Sequence, residues 1–128
     1  QLLLIRALVR DLCFPVSIVG VETVREADGL AMSSRNSYLT SDQRDKAPEL
    51  YRTLCRCGED LELGELAIAQ CEQKASAALH AGGFLPDYVS IRRAEDLGDP
   101  KITDKRLVVM AAAMLGTTRL IDHVDIER

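Results

Sequence analysis

The spacing of apolar residues changes in the last third of this chain, and that change limits the folds open to it. Ala47, Leu50, Tyr51, Leu54, Cys57 and Leu61 recur every three or four residues, the repeat of a helix with one buried face. A second helix is expected over 65–81, separated from the first by Gly64 and closed by Gly82 and Gly83. From Asp87 the period drops to two. D-Y-V-S-I-R-R (87–93) and R-L-I-D-H-V-D-I (119–126) alternate apolar and polar, whereas R-L-V-V-M-A-A-A-M-L (106–115) is apolar and suits a central strand. Gly116, Thr117 and Thr118 supply a hairpin turn. A helix pair followed by strands predicts an α+β domain: a small antiparallel sheet with one face covered by helices.

Local signals refine the helices. Thr40 and Gln43 form a T-x-x-Q capping box, and Asp42 adds negative charge to the first turn. Pro48 lies too far inside that helix to be its first residue, so either a kink or a true helix start is expected there.

The opening residues follow a different logic. Leu4, Ile5, Leu8, Val9 and Leu12 recur at helical spacing opposite Arg6 and Arg10, predicting an amphipathic helix over 2–12 that Phe14 and Pro15 end. V-S-I-V-G-V (16–21) then reads as a strand buried on both faces of a parallel sheet. Helix followed by buried strand is the tail of an α/β unit. A parallel strand needs neighbours, and nothing upstream supplies them, so this edge is open to self-association or domain swapping. Gln1 enters a helical pattern with no initiator Met and no capping residue, so the sequence is expected to be part of a longer chain.

Composition excludes several classes. A length of 128 residues supports one core without disulfides or metals. A net charge of −4, no Trp and 4% aromatic residues argue against a nucleic-acid groove. Cys13, Cys55, Cys57 and Cys71 occupy apolar or helical surroundings, and C-R-C lacks the spacer of a zinc site, so reduced structural thiols are expected. No apolar run nears the roughly 20 residues of a membrane helix, and Q-L-L-L-I-R is no signal peptide. A soluble, cytoplasmic protein without membrane contacts is the expectation.

The candidate for chemistry is D-G-L-A-M-S-S-R-N-S-Y-L-T (28–40). Asp28 and Gly29 signal a turn, after which Met32, Ser33, Ser34 and Arg35 follow in succession. Backbone amides and serine hydroxyls can donate to phosphate oxygens, and a guanidinium adds a planar, permanently charged fork. Read alone, these residues favour a hydrated turn over a phosphate site, because short motifs recur by chance. Other polar groups favour structural roles. His80 reads as a helix C-terminal residue, His123 as a sheet residue, and Glu59, Asp60, Glu62 and Glu65 as a solvated helix end. Asp122 and Asp125 fall on opposite faces of an alternating strand and are rejected as a metal pair, so no metal ligands are assigned.

The wider context of that stretch reverses the preference. A-D-G-L-A-M-S-S-R-N-S-Y-L-T resembles the signature of the pantothenate synthetase (pantoate:beta-alanine ligase) family, in which M-S-S-R is a variant of the K-M-S-K-S loop. Q-L-L-L-I-R, I-V-G-V, T-V-R-E-A-D-G-L and A-A-A-M-L-G-T-T-R-L-I-D resemble the C-terminal portion of that family in order and spacing, over essentially the whole chain. The resemblance implies an ATP-dependent ligase that condenses pantoate with beta-alanine through pantoyl adenylate, with Mg2+ accompanying ATP and a homodimer for the full-length protein. It further implies that 1–21 finish a Rossmann-like nucleotide-binding domain and that 22–128 form a lid domain. Carried over by position, Met32, Ser33, Ser34 and Arg35 match the ATP-binding loop, with Arg35 and the serines on the phosphates. Val24 matches the position whose backbone meets adenine, and Gln1 the second glutamine of a pantoate-binding Q-Q-L. The family's H-x-G-H signature is missing from this sequence, so the 128 residues are expected to be inactive alone, and Arg35 is the only cation in M-S-S-R where K-M-S-K-S has two lysines. Two rival readings remain: a stand-alone, non-catalytic protein-interaction module, and a nucleotide-binding regulatory module.

Overall fold

The computed structural model describes residues 1–64, 66–101 and 103–128. Helix α1 (Leu2–Asp11) is followed by a long extended stretch, a 3-10 turn (Ser34–Tyr38), and helices α2 (Ser41–Lys46), α3 (Glu49–Leu63) and α4 (Ile68–Ala81). Strands β1 (Leu85–Arg93), β2 (Arg106–Leu115) and β3 (Thr118–Glu127) complete an antiparallel sheet with β2 in the centre.

The capping box forms as the sequence predicts. Thr40 Oγ1 accepts from the Gln43 N–H at 3.3 Å, and Gln43 Oε1 accepts from the Thr40 N–H at 3.0 Å. Pro48, which has no N–H to offer, marks the break between α2 and α3, the second of the two outcomes expected there. Gly64 closes α3 in the left-handed conformation at φ 69°. The next helix starts later than the expected 65: α4 begins at Ile68, where Gln70 Oε1 accepts from the Ala67 N–H at 2.9 Å. Glu65 itself lies outside the described residues.

One face of the sheet carries the core. Leu107, Val109, Ala111, Ala113 and Leu115 of β2 point toward the helices, together with Ile91, Leu120 and Ile126. Helix α4 packs on β1, and α3 packs on β2 and β3. They contribute Leu50, Leu54, Cys57, Leu61, Cys71, Ala75 and Leu79 to the same cluster. Each such large aliphatic residue contributes about 1.5–3 kcal/mol on burial. Gly58 lets α3 approach the sheet, since any Cβ there would run into Ile126 Cδ1. The β2–β3 hairpin is tighter than the three-residue turn expected: Leu115 pairs with Thr118, and Thr118 is buried in β3.

The expected strand at 16–21 is the main departure. It has no ladder partner, and Val16, Val19 and Val21 are exposed. The physical reason is the one its pattern anticipated, for an apolar β-branched run cannot be a buried parallel strand without strands beside it. Helix α1 likewise forms where expected but buries none of its residues.

Candidate nucleotide-binding loop

Residues 24–32 fold into a miniature hairpin. Arg25 bridges to Ala31, the Glu26 N–H donates to the Leu30 carbonyl at 2.8 Å, and the Met32 N–H donates to the Val24 carbonyl at 2.9 Å. The turn is closed by the Gly29 N–H on the Glu26 carbonyl at 2.9 Å, and Asp28 Oδ1 accepts from the Leu30 N–H at 3.2 Å. Gly29 is required twice over: its φ is 97°, and a Cβ would come within 2.8 Å of the Tyr51 ring. Leu30 is buried and plugs the hairpin into the core.

Arg25 holds this hairpin to the sheet. Its guanidinium forks onto Asp122, with Nη1 to Oδ2 at 2.7 Å and Nη2 to Oδ1 at 3.0 Å. It also donates to the carbonyls of Gly29 (3.1 Å) and His123 (3.3 Å) and lies 3.7 Å over the centre of the Tyr51 ring. The Asp122 side chain is only 3% exposed and that of Arg25 19%, so the pair lies in a region that screens it weakly. The hydrogen bond to Asp122 raises the Arg25 pKa above its ordinary value. A second tie joins the tip of the hairpin to α2, where Arg44 Nη1 meets Asp28 Oδ2 at 2.6 Å. That contact, foremost its hydrogen bond, holds the Asp28 carboxyl below the usual carboxylate range.

The M-S-S-R segment leaves the hairpin with its backbone fixed. Ser33 caps the 3-10 turn, its Oγ accepting from the Arg35 N–H at 3.2 Å, and the Asn36 N–H donates to the Ser33 carbonyl at 3.0 Å. Ser37 Oγ donates to the Ser34 carbonyl at 2.7 Å, and Asn36 Nδ2 to the Ala31 carbonyl at 3.0 Å. Met32, Ser33, Ser34 and Arg35 are all exposed. Among the described residues, no hydrogen bond or ion pair engages the Arg35 guanidinium. A cation with five donors is thus presented to solvent from an ordered base, an arrangement that can donate to phosphate oxygens.

Of the residues singled out in the sequence, the fold brings Val24 and Met32 to Arg35 together at the open end of the hairpin and the 3-10 turn that follows it. Val24 is exposed, with its carbonyl accepting from Met32. Gln1 stands apart at the start of α1: its side chain makes no capping bond, and its carbonyl accepts from the Ile5 N–H. His80 is exposed near the end of α4, Nδ1 lying 3.0 Å from the Ser76 carbonyl oxygen. His123 is exposed on the uncovered face of the sheet. Asp122 faces the helices and Asp125 faces away, as their spacing implies. In the acidic run, Glu59 and Glu62 are exposed, while Asp60 accepts from Lys74 Nζ at 2.9 and 2.7 Å and links α3 to α4.

The sequence reading missed Arg25, Asp122 as its partner, and Tyr51 as its platform. One signal was available. The alternation of β3 places Leu120, Asp122, Val124 and Ile126 on one face, and a carboxylate in an apolar register implies a buried cation.

The chain is thus an α+β domain that carries an arginine-and-serine loop on an anchored hairpin. The family described as Pantoate-beta-alanine ligase matches residues 1–125, and the chain belongs to that family. It is 55% identical over 124 residues to a pantothenate synthetase of Methylococcus capsulatus, covering 97% of this chain and 43% of that relative. A pantothenate synthetase of Shewanella loihica is 49% identical over 128 residues, covering all of this chain and 45% of the relative. The chain therefore spans less than half the length of these curated relatives. Among solved structures, pantothenate synthetase from Thermus thermophilus superposes over the whole chain and 46% of its own, with a TM-score of 0.90 and 41% identity. The ligase from Francisella tularensis, solved with beta-gamma ATP and beta-alanine, covers 97% of this chain and 39% of its own, with a TM-score of 0.64 and 25% identity.

Proposed function

We propose that this chain is the C-terminal half of an ATP-dependent pantoate:beta-alanine ligase, with residues 22–128 as a lid whose M-S-S-R loop closes over ATP. The observation that carries the reading is Arg35, exposed and unpaired among the described residues on a hydrogen-bonded 3-10 turn, within a stretch that matches the ligase family from residue 1 to 125. The nucleotide-bound relative from Francisella supports ATP as substrate.

In the first step a pantoate carboxylate oxygen attacks the α-phosphorus of ATP, and the bond to the bridging oxygen breaks as pyrophosphate leaves. The amine of beta-alanine then attacks the acyl carbon of pantoyl adenylate, losing a proton as AMP departs and the amide forms. Negative charge grows on the leaving phosphates in the first step. Arg35, with the Ser33 and Ser34 hydroxyls, stabilises it there, where preorganised donors contribute most. Val24 offers backbone to the adenine, and Met32 begins the loop. Gln1 binds pantoate from the other domain. Among the described residues, no group of three His, Cys, Asp or Glu side chains is placed to hold a metal ion. Magnesium is expected to accompany ATP, where it would offset phosphate charge.

Residues 1–21 belong, on this reading, to the Rossmann-like domain. The exposed apolar faces of α1 and 16–21 then pack against helices and strands supplied by the preceding half, where the H-x-G-H histidines also reside. The full-length protein is a cytoplasmic homodimer, and the 128 residues alone lack activity. No helix among the described residues is long and apolar enough to cross a membrane. In the full-length protein, Arg35→Ala should slow pyrophosphate release in a pre-steady-state burst by about 100-fold while leaving pantoate affinity nearly unchanged. An unchanged burst rate removes Arg35 from the mechanism.

A further inference from the structure

The residues proposed to touch ATP are exposed, and what fixes them in space lies beneath them. Val24 and Met32 are joined by a hydrogen bond at the open end of the 24–32 hairpin, and Arg25, bridged to Ala31, forms the next rung. Five contacts converge on its guanidinium: both oxygens of Asp122, the carbonyls of Gly29 and His123, and the face of Tyr51. These partners come from the hairpin turn, from β3 and from α3. On the other side, Asn36 Nδ2 holds the Ala31 carbonyl, so the strand leading into Met32 is gripped by side chains at both Gly29 and Ala31. A lysine could reach one of these acceptors but could neither fork onto both carboxylate oxygens nor stack flat on the tyrosine.

We infer that Arg25 is a positioning residue for the reaction: it fastens the nucleotide loop to the sheet, so that Val24 and residues 32–35 move with the domain as one body. The inference rests on the ATP-loop reading of M-S-S-R. Its consequence is specific. Loosening Arg25 leaves Arg35 chemically intact but misplaces it, and a displacement of about 1 Å at such a site costs about 100-fold in rate.

The test compares Arg25→Lys and Asp122→Asn with the unsubstituted full-length protein, in two measurements. Amide hydrogen exchange is read at Glu26, Gly29 and Met32, the three donors that close the hairpin, with α3 amides as an internal standard. Single-turnover pyrophosphate release is read alongside the KM for pantoate. The expected result is exchange about tenfold or more faster at the three hairpin amides with α3 unchanged, and adenylate formation slowed by about tenfold or more with KM for pantoate within about twofold. Hairpin exchange that stays at the unsubstituted rate in both variants overturns the clamp. Faster hairpin exchange with an unchanged adenylation rate overturns its role in positioning. A merely structural role would lower the unfolding temperature while the folded variants kept their rate, and that result also counts against positioning. Absence of ligation by the unsubstituted protein is a separate failure: it sinks the ligase reading and with it the functional role of Arg25, while the exchange data still decide whether the clamp exists.

Discussion

Two sets of aliphatic residues in this chain are alike in chemistry and opposite in fate. Leu4, Leu8, Val19 and Val21 are 54% or more exposed, whereas Leu50, Leu54, Ile91 and Val109 are 2% or less. The second set meets α3, the sheet and one another; the first lies mostly in solvent. Burial depends on having a partner surface, and hydrophobicity without one leaves a helix that forms on its own periodicity and a strand-like run that does not pair. The hairpin at 24–32 sits at the junction, and Arg25, Leu30 and Asp28 tie it to the buried side.

The sharpest way to break this comparison is chemical labelling of thiols. Burial pushes the Cys57 thiol up to about 12, whereas Cys13 is exposed beyond the end of α1. Because the thiolate is the reacting form and Cys57 is buried, a thiol reagent at pH 8 should modify Cys13 at least about tenfold faster than Cys57. Comparable rates in the folded protein would show that the core is open. The same shift has a sign for stability. A folded-state pKa raised above the unfolded value favours the fold below about pH 8.5, and that contribution is lost as pH rises toward 12.

Next in size is the ion pair beneath the loop. Asp122→Ala leaves the Arg25 charge without its partner and should cost about 3–5 kcal/mol in a denaturant titration. The exposed Arg10–Asp11 pair, at 2.9 Å, should contribute less than about 1 kcal/mol when broken. Equal losses from the two would contradict the burial argument. In the core, Leu54→Ala should cost about 2–5 kcal/mol, while Leu4→Ala in the 128-residue chain should stay within about 0.5 kcal/mol. In the full-length protein Leu4→Ala should become clearly destabilising, if the preceding half covers α1. Thr40→Ala, which removes one half of the capping box, should cost about 1 kcal/mol. The smallest effect belongs to Asp28. Its lowered carboxyl favours the fold above about pH 3.9, and that contribution fades as pH falls below it. Arg44→Ala should flatten the acid limb of the stability profile there, and a profile unchanged by the substitution would remove the Asp28 tie.

What could be read from the sequence was what neighbours in sequence decide. The Thr40–Gln43 box, the break at Pro48, the close at Gly64 and the three strands rest on contacts within a few residues or on a simple period. The exposed loop tip was legible for the same reason, since Met32 to Arg35 are contiguous. Arg25 and Asp122 are 97 positions apart, and no local rule pairs them. The run at 16–21 reads as a buried strand yet stands largely exposed in these 128 residues, because periodicity reports what a face is suited to, not whether a partner is there. Helix α4 starting at Ile68 rather than 65 reflects a cap made by Gln70 on Ala67, a signal weaker than the glycine before it.

The most direct measurement is ligation itself: ATP, pantoate and beta-alanine supplied to the full-length protein and, in parallel, to these 128 residues, with pantothenate and AMP read as products. The full-length protein should form both in equal amounts and the 128 residues neither. Absence of both products from the folded full-length protein would contradict the ligase assignment, and turnover by the 128 residues alone would contradict the division of the site between two halves.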